Sequence, residues 1–172
     1  MHVLFVCTGN ICRSPTAERL ALAYAVRQQI PDFTASSAGT RGLVGHPMHN
    51  EAERVLERLH GDPSSFAARR LTRRIAVSAD LVLTMTKDHR DQVLEIAPQK
   101  LNRTFSLPEA AHLVTALGAQ TVADLANLRP KLIMGEVPDI VDPIGQRPEV
   151  FAAVGQQIAD LLPPVLELCR PE

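Results

Sequence analysis

A chain of 172 residues with 18 basic and 19 acidic side chains carries a formal net charge of -1, so no global field draws it to nucleic acid or to an anionic membrane. Its length suffices for one domain, residues 1–172, with a real core, and since hydrophobic residues make up 45% but aromatics only 3%, that core must be aliphatic. Three cysteines exclude a disulfide framework and point to a reducing cytoplasm, and the first apolar run, with no signal peptide visible, is far too short to cross a bilayer.

That run, Met1-His2-Val3-Leu4-Phe5-Val6, reads as a buried strand. It leads into Cys7-Thr8-Gly9-Asn10-Ile11-Cys12-Arg13-Ser14, after which Pro15 opens a helix with Ala17, Leu20, Ala21 and Tyr24 along one face. A thiol and a guanidinium therefore stand at the two ends of a tight loop between a strand end and a helix N-terminus. Helix N-termini favour phosphate through unpaired N–H groups and the positive end of the macrodipole. Wrapped as a nest, the amides from Thr8 to Arg13 point inward. Gly9 is expected to permit the turn, and Arg13 offers two parallel N–H groups to two phosphoryl oxygens. The same field favours the thiolate of Cys7. Below a bound phosphorus this sulfur attacks in line and splits one hard hydrolysis into two easier steps. Ser14 is placed to hydrogen-bond the sulfur and make it a better leaving group in the second.

Further along, Ala52, Val55, Leu56 and Leu59 predict a helix closed by Gly61. Residues 81–85 predict a central strand, 87–96 a helix stopped by Pro98, 103–107 the last strand, and Pro108 opens another helix. Residues 110–134 are rich in alanine and leucine and carry no evident function. Val150, Val154, Ile158 and Leu161 build a final helix that Pro163 and Pro164 are expected to kink or interrupt. The alternation of strand and helix predicts a parallel sheet with helices on both faces, whose ligands sit at the carboxyl ends of the strands.

Ester cleavage also needs a proton for the departing oxygen. Asp142, restricted by Pro143 in a Pro- and Gly-rich loop, fits that role, with Asp139 as the competing candidate. His46 and His49 lack a third ligand partner and read as loop residues. Arg69, Arg70, Arg73 and Arg74 read as a solvated helix face, and Cys169 as structural.

Together, the 7–14 loop with its preceding strand, Ser14-Pro15-Thr16-Ala17-Glu18, Ser37-Ala38-Gly39-Thr40, Asp80-Leu81-Val82-Leu83-Thr84-Met85 and Asp142-Pro143 resemble the low-molecular-weight protein tyrosine phosphatases, in that family's order. The resemblance implies a Rossmann-like four-stranded parallel sheet with helices on both faces. It implies Cys7 as nucleophile, Arg13 as phosphate clamp, Asp142 as general acid, Thr8, Gly9, Asn10, Ile11, Cys12 and Ser14 as phosphate-binding loop, and Ser14, Asn10 and Ser37 as a polar network fixing that loop. Neither cofactor nor metal is called for, and the implied partner is a phosphotyrosine-containing protein. Cys12 matches the family's second loop cysteine, open to reversible disulfide formation or to simple packing.

Four departures from the family pattern stand out: Ile144 and Gly145 together replace an aromatic after Asp-Pro, Phe66 a common His, Thr86 a usual Asp and His49 a frequent Asp. Ile11 matches tyrosine-directed members, whereas arginine phosphatases tend to place Thr there. Alternatives are phosphoarginine or a small phosphate ester as substrate, arsenate reduction with an external thiol, and a phosphoprotein-binding module without turnover.

Overall fold

The computed structural model describes residues 1–133 and 135–171. Strands β1 (His2–Cys7), β2 (Thr34–Gly39), β3 (Leu81–Thr84) and β4 (Thr104–Ser106) form one parallel sheet in the order β2-β1-β3-β4. The helices are α1 (Arg13–Arg27), α2 (Asn50–Arg58), α3 (Arg73–Ser78), α4 (Lys87–Ile96), α5 (Leu107–Thr115), α6 (Val122–Leu128) and α7 (Pro148–Glu167). Alternation along β1 sends Val3, Phe5 and Cys7 into one core and Leu4 and Val6 into a second. Both faces of the strand are covered, which is why its sequence is continuously apolar rather than alternating. The larger core is closed by α1, α2, α5, α6 and α7, the smaller by α3 and α4.

Local chemistry sets the boundaries. α4 spans 87–96 as expected, with the Thr86 side chain accepting from the His89 N–H, and Pro98 turns the chain into a 3-10 segment. α1 starts at Arg13, two residues before the expected Pro15; proline stays within the first turn, where its missing N–H is no loss. The last strand narrows from 103–107 to Thr104–Ser106 because Ser106 caps α5 in a capping box with Glu109. His60, not Gly61, adopts the left-handed conformation after α2. α7 runs through Pro163 and Pro164 without the interruption that is one of the two expected outcomes: burial of Leu162, Val165 and Leu166 outweighs the local penalty.

The 110–134 segment, of which Met134 lies outside the described residues, has a structural use. Leu113, Val122 and Leu125 extend the larger core. Arg129 lies 3.9 Å over the Phe105 ring and donates to Leu101 O at 2.9 Å and to Thr104 O, covering the edge strand β4. No described helix is long and apolar enough to cross a membrane.

Candidate active site

The chain leaves β1 toward β2 on one side and returns to β3 on the other, so a crevice opens at the carboxyl end of β1, the usual ligand position in such sheets. A cavity of about 230 Å³ lies there, lined by Cys7, Thr8, Gly9, Ile11, Cys12, Arg13, Arg41, Leu43, Asp142 and Ile144.

The loop is held from outside by the segment after β2. Thr40, Arg41, Leu43 and His49 donate backbone N–H groups to the carbonyls of Cys7, Thr8, Gly9 and Ile11 at 2.9, 2.9, 3.0 and 2.7 Å. In a trans peptide the carbonyl and the following N–H point oppositely. The N–H groups of Thr8, Gly9, Asn10 and Cys12 therefore turn away from that segment, the arrangement of an anion nest. The left-handed residue is Asn10, with φ of 58°, and not Gly9 as expected. Asparagine tolerates this conformation when its amide is satisfied locally, and here it is saturated: Nδ2 donates to Ser14 Oγ and Ser37 Oγ, and Oδ1 accepts from the Arg69 N–H, each at 2.9 Å. The glycine required by close approach is Gly39, where a Cβ would stand 2.3 Å from Thr8 O.

Cys7, buried, has its Sγ 2.9 Å from Ser14 Oγ. Because Ser14 Oγ accepts from Asn10, its own proton is available to the sulfur. Ser37 Oγ likewise accepts from Asn10 and donates to Glu18 Oε2 at 2.5 Å. Two lines of hydrogen bonds thus diverge from the Asn10 amide, one ending on the Glu18 carboxylate and the other on the Cys7 sulfur. Sequence reasoning missed two of their anchors. Glu18 sits 3.2 Å from Arg19 Nε, whose guanidinium lies 5.6 Å above the Phe66 ring, so Phe66 walls the pair. Arg69, read as part of a solvated helix face, lies in a loop and donates from Nε to Ser37 O at 2.7 Å.

Arg13 is only 4% exposed. It donates from Nη1 to Ile140 O at 2.8 Å, and its Nη2 lies 3.4 Å from Asp142 Oδ2. The Asp142 side chain is 49% exposed at the pocket edge. Asp139 is not in the cavity wall: its Oδ1 accepts from the Lys87 N–H at 2.9 Å and, with Ile140 N–H donating to Met85 O at 3.0 Å, ties the acidic loop to the carboxyl end of β3. Cys12 is buried, and burial first, then the neighbouring Cys7, pushes its thiol up to about 12. His49 accepts from the Glu51 N–H as cap of α2 and stacks on Phe151 at 4.8 Å, while Thr86 caps α4. These two departures from the family pattern serve helix ends.

A further residue escaped the sequence reading. His89, 4% exposed, has Nε2 2.8 Å from Thr8 Oγ1. Burial first, then the charge of Arg13, lowers it to about 4. Its one sequence signal is its place three residues after the cap Thr86, at the start of the helix that faces the loop.

A family model described as low molecular weight phosphotyrosine protein phosphatase matches residues 2–124. The chain is 41% identical over 103 residues to the low molecular weight protein-tyrosine-phosphatase Etp of Escherichia coli K12; that stretch is 60% of this chain and 66% of Etp, just under two thirds of the relative. It is 28% identical to a protein-arginine-phosphatase of Geobacillus stearothermophilus over 99% of this chain and 97% of the relative. The crystal structure of a low molecular weight protein tyrosine phosphatase from T. tengcongensis superposes with a TM-score of 0.78 at 30% identity, covering 97% of this chain and 98% of that one. A matched stretch that carries the whole loop from Cys7 to Ser14, on a sheet of the same architecture, makes this chain a member of the low molecular weight phosphotyrosine protein phosphatase family.

Proposed function

We propose that the protein hydrolyses phosphotyrosine in proteins through a thiophosphate-enzyme intermediate. The observation that carries this reading is the Cys7 sulfur bonded to Ser14 Oγ beside a cavity whose wall holds both Arg13 and Asp142. Cys7 Sγ attacks phosphorus and an S–P bond forms as the P–O ester bond breaks. Asp142 gives its proton to the departing phenolic oxygen. Water then attacks the thiophosphate, Asp142 takes the proton of that water, the S–P bond breaks and inorganic phosphate leaves. Arg13 and the loop amides hold the equatorial oxygens throughout.

Phosphotyrosine is favoured over phosphoarginine by the walls. Ile11, Leu43 and Ile144 give aliphatic contact to a ring. Among the described lining residues Asp142 is the one carboxylate, and it already faces Arg13; a second guanidinium would meet Arg13 and Arg41 with no carboxylate of its own. Phosphoarginine is the second reading, supported by the full-length likeness to a protein-arginine-phosphatase. A reducing cytoplasm suits a site built on Cys7 and Cys12, both free thiols.

The test is turnover of an aryl phosphate and of phosphotyrosine and phosphoarginine peptides without added metal. Activity is expected on the aryl substrates, lost in Cys7→Ser and slowed at least a hundredfold in Asp142→Asn, within the range of general-acid contributions. Undiminished hydrolysis by the serine variant would overturn the mechanism. Faster cleavage of the phosphoarginine peptide would replace the substrate.

A further inference from the structure

His89 is the third residue of α4, and its backbone N–H donates to Thr86 Oγ1 at 3.1 Å. That cap fixes the imidazole where β3 gives way to helix, against the nucleophilic loop that follows β1. Nε2 lies 2.8 Å from Thr8 Oγ1, while Nδ1 is buried with no protein partner. An orphaned buried N–H is rarer in folded proteins than a bare acceptor, so the imidazole proton belongs on Nε2, where it has an acceptor. Burial, the Arg13 charge and the positive end of α4 all disfavour a second proton. Asp88 on α4 and Asp139 and Asp142 on the acidic loop also face the ring and offset this only in part.

The consequence falls on Thr8, the residue after the nucleophile and part of the cavity wall. Its hydroxyl oxygen accepts from His89, so its own hydrogen needs a different acceptor. The cavity beside it is the site of a dianionic ester, and O–H donation to an anionic oxygen is among the stronger hydrogen bonds available to a side chain. We propose that the Thr8 hydroxyl donates to an oxygen of the bound phosphate monoester, and that His89 is the positioning residue that directs it there. This rests on the phosphatase reading and adds to it a side-chain phosphate contact beyond Arg13 and the loop amides.

The test compares wild type, Thr8→Val, Thr8→Ser, His89→Leu and the Thr8→Val/His89→Leu pair. The readouts are the competitive Ki of inorganic phosphate, kcat and KM on an aryl phosphate, and Tm. Thr8→Val is expected to raise the phosphate Ki and lower kcat/KM about tenfold, the lower range for a hydrogen bond to a charged group. Thr8→Ser, which restores the hydroxyl, recovers most of what Thr8→Val loses in both. His89→Leu reproduces the loss, and the pair loses no more than Thr8→Val alone, because both changes remove one contact. A Thr8→Val enzyme within twofold of wild type, a His89→Leu enzyme with lowered Tm but unchanged phosphate Ki, or losses that multiply in the pair would each overturn the proposal. If His89→Leu does not fold, the Thr8→Val and Thr8→Ser comparison decides alone. Wild type that neither binds phosphate nor cleaves the ester refutes the phosphatase reading itself; wild type that does both beside an unaffected Thr8→Val refutes only the role of Thr8.

Discussion

Ser14 shows how one hydroxyl is given a direction. Asn10 donates to its oxygen, so its proton goes to the Cys7 sulfur, which in the proposed mechanism lowers the cost of negative charge there as the thiophosphate breaks. Ser14→Ala is therefore expected to slow breakdown of the intermediate more than its formation. In rapid-quench experiments phenol release should show a burst absent or smaller in wild type; equal slowing of both steps would argue against this role. Gly39 acts through what it lacks. A methyl group there would meet Thr8 O at 2.3 Å and Asn10 N at 2.9 Å, both backbone atoms of the loop, and backbone cannot swing aside as a side chain can. Gly39→Ala should cost about 3 kcal/mol, the upper range for overpacking, measured by urea unfolding, with kcat/KM falling in parallel because the displaced atoms belong to the loop proposed to hold phosphate.

At the scale of elements, α7 is the brace of the larger core. Its twenty residues include two prolines whose local preference is to end a helix, yet Leu162, Val165 and Leu166 beyond or beside them are buried. The apolar face continues past the prolines and keeps the helix in place. Close contact with α2 occurs at Gly155, where a Cβ would lie 2.2 Å from Val55 Cγ1. By helix propensity Gly155→Ala ought to stabilise by about 1 kcal/mol; the contact predicts net destabilisation instead, of about 1–2 kcal/mol. Pairing it with Val55→Ala should recover stability relative to the sum of the single changes, and additive losses would show that the two helices do not meet there.

For the whole molecule, the buried neutral imidazole makes stability depend on pH. His89 is held at about 4, below the ordinary value of 6.5. Above pH 6.5 the ring is neutral in both folded and unfolded chains and carries no penalty. Between pH 6.5 and about 4 the unfolded chain binds a proton that the fold refuses, so stability falls as pH falls. Below about 4 both states are protonated and the loss is complete, at roughly 3 kcal/mol. His89→Asn removes the titration. The stability difference between wild type and variant should shift by up to that amount across the window and be flat outside it. A difference independent of pH from 4 to 7 would show that the imidazole charges freely in the folded state.

Much of this molecule is written locally. Cys7 and Arg13 share a loop because the strand before and the helix after are both signalled by neighbouring residues, and the 87–96 helix expected ahead of Pro98 is α4. The run of apolar residues in β1 already implied covered faces. What the chain order alone did not decide depends on atoms distant in sequence. The left-handed turn fell to Asn10 rather than Gly9 because Ser37 and Arg69, from other elements, saturate its amide. Asp142 rather than Asp139 faces the cavity because Lys87 takes the latter. Phe66 and His49 look like departures in one dimension and become a wall for Arg19 and a stacked helix cap in three. Local propensity specifies which elements form. Hydrogen-bond partners and burial, which exist only after distant segments meet, specify which atom of each element does the chemistry.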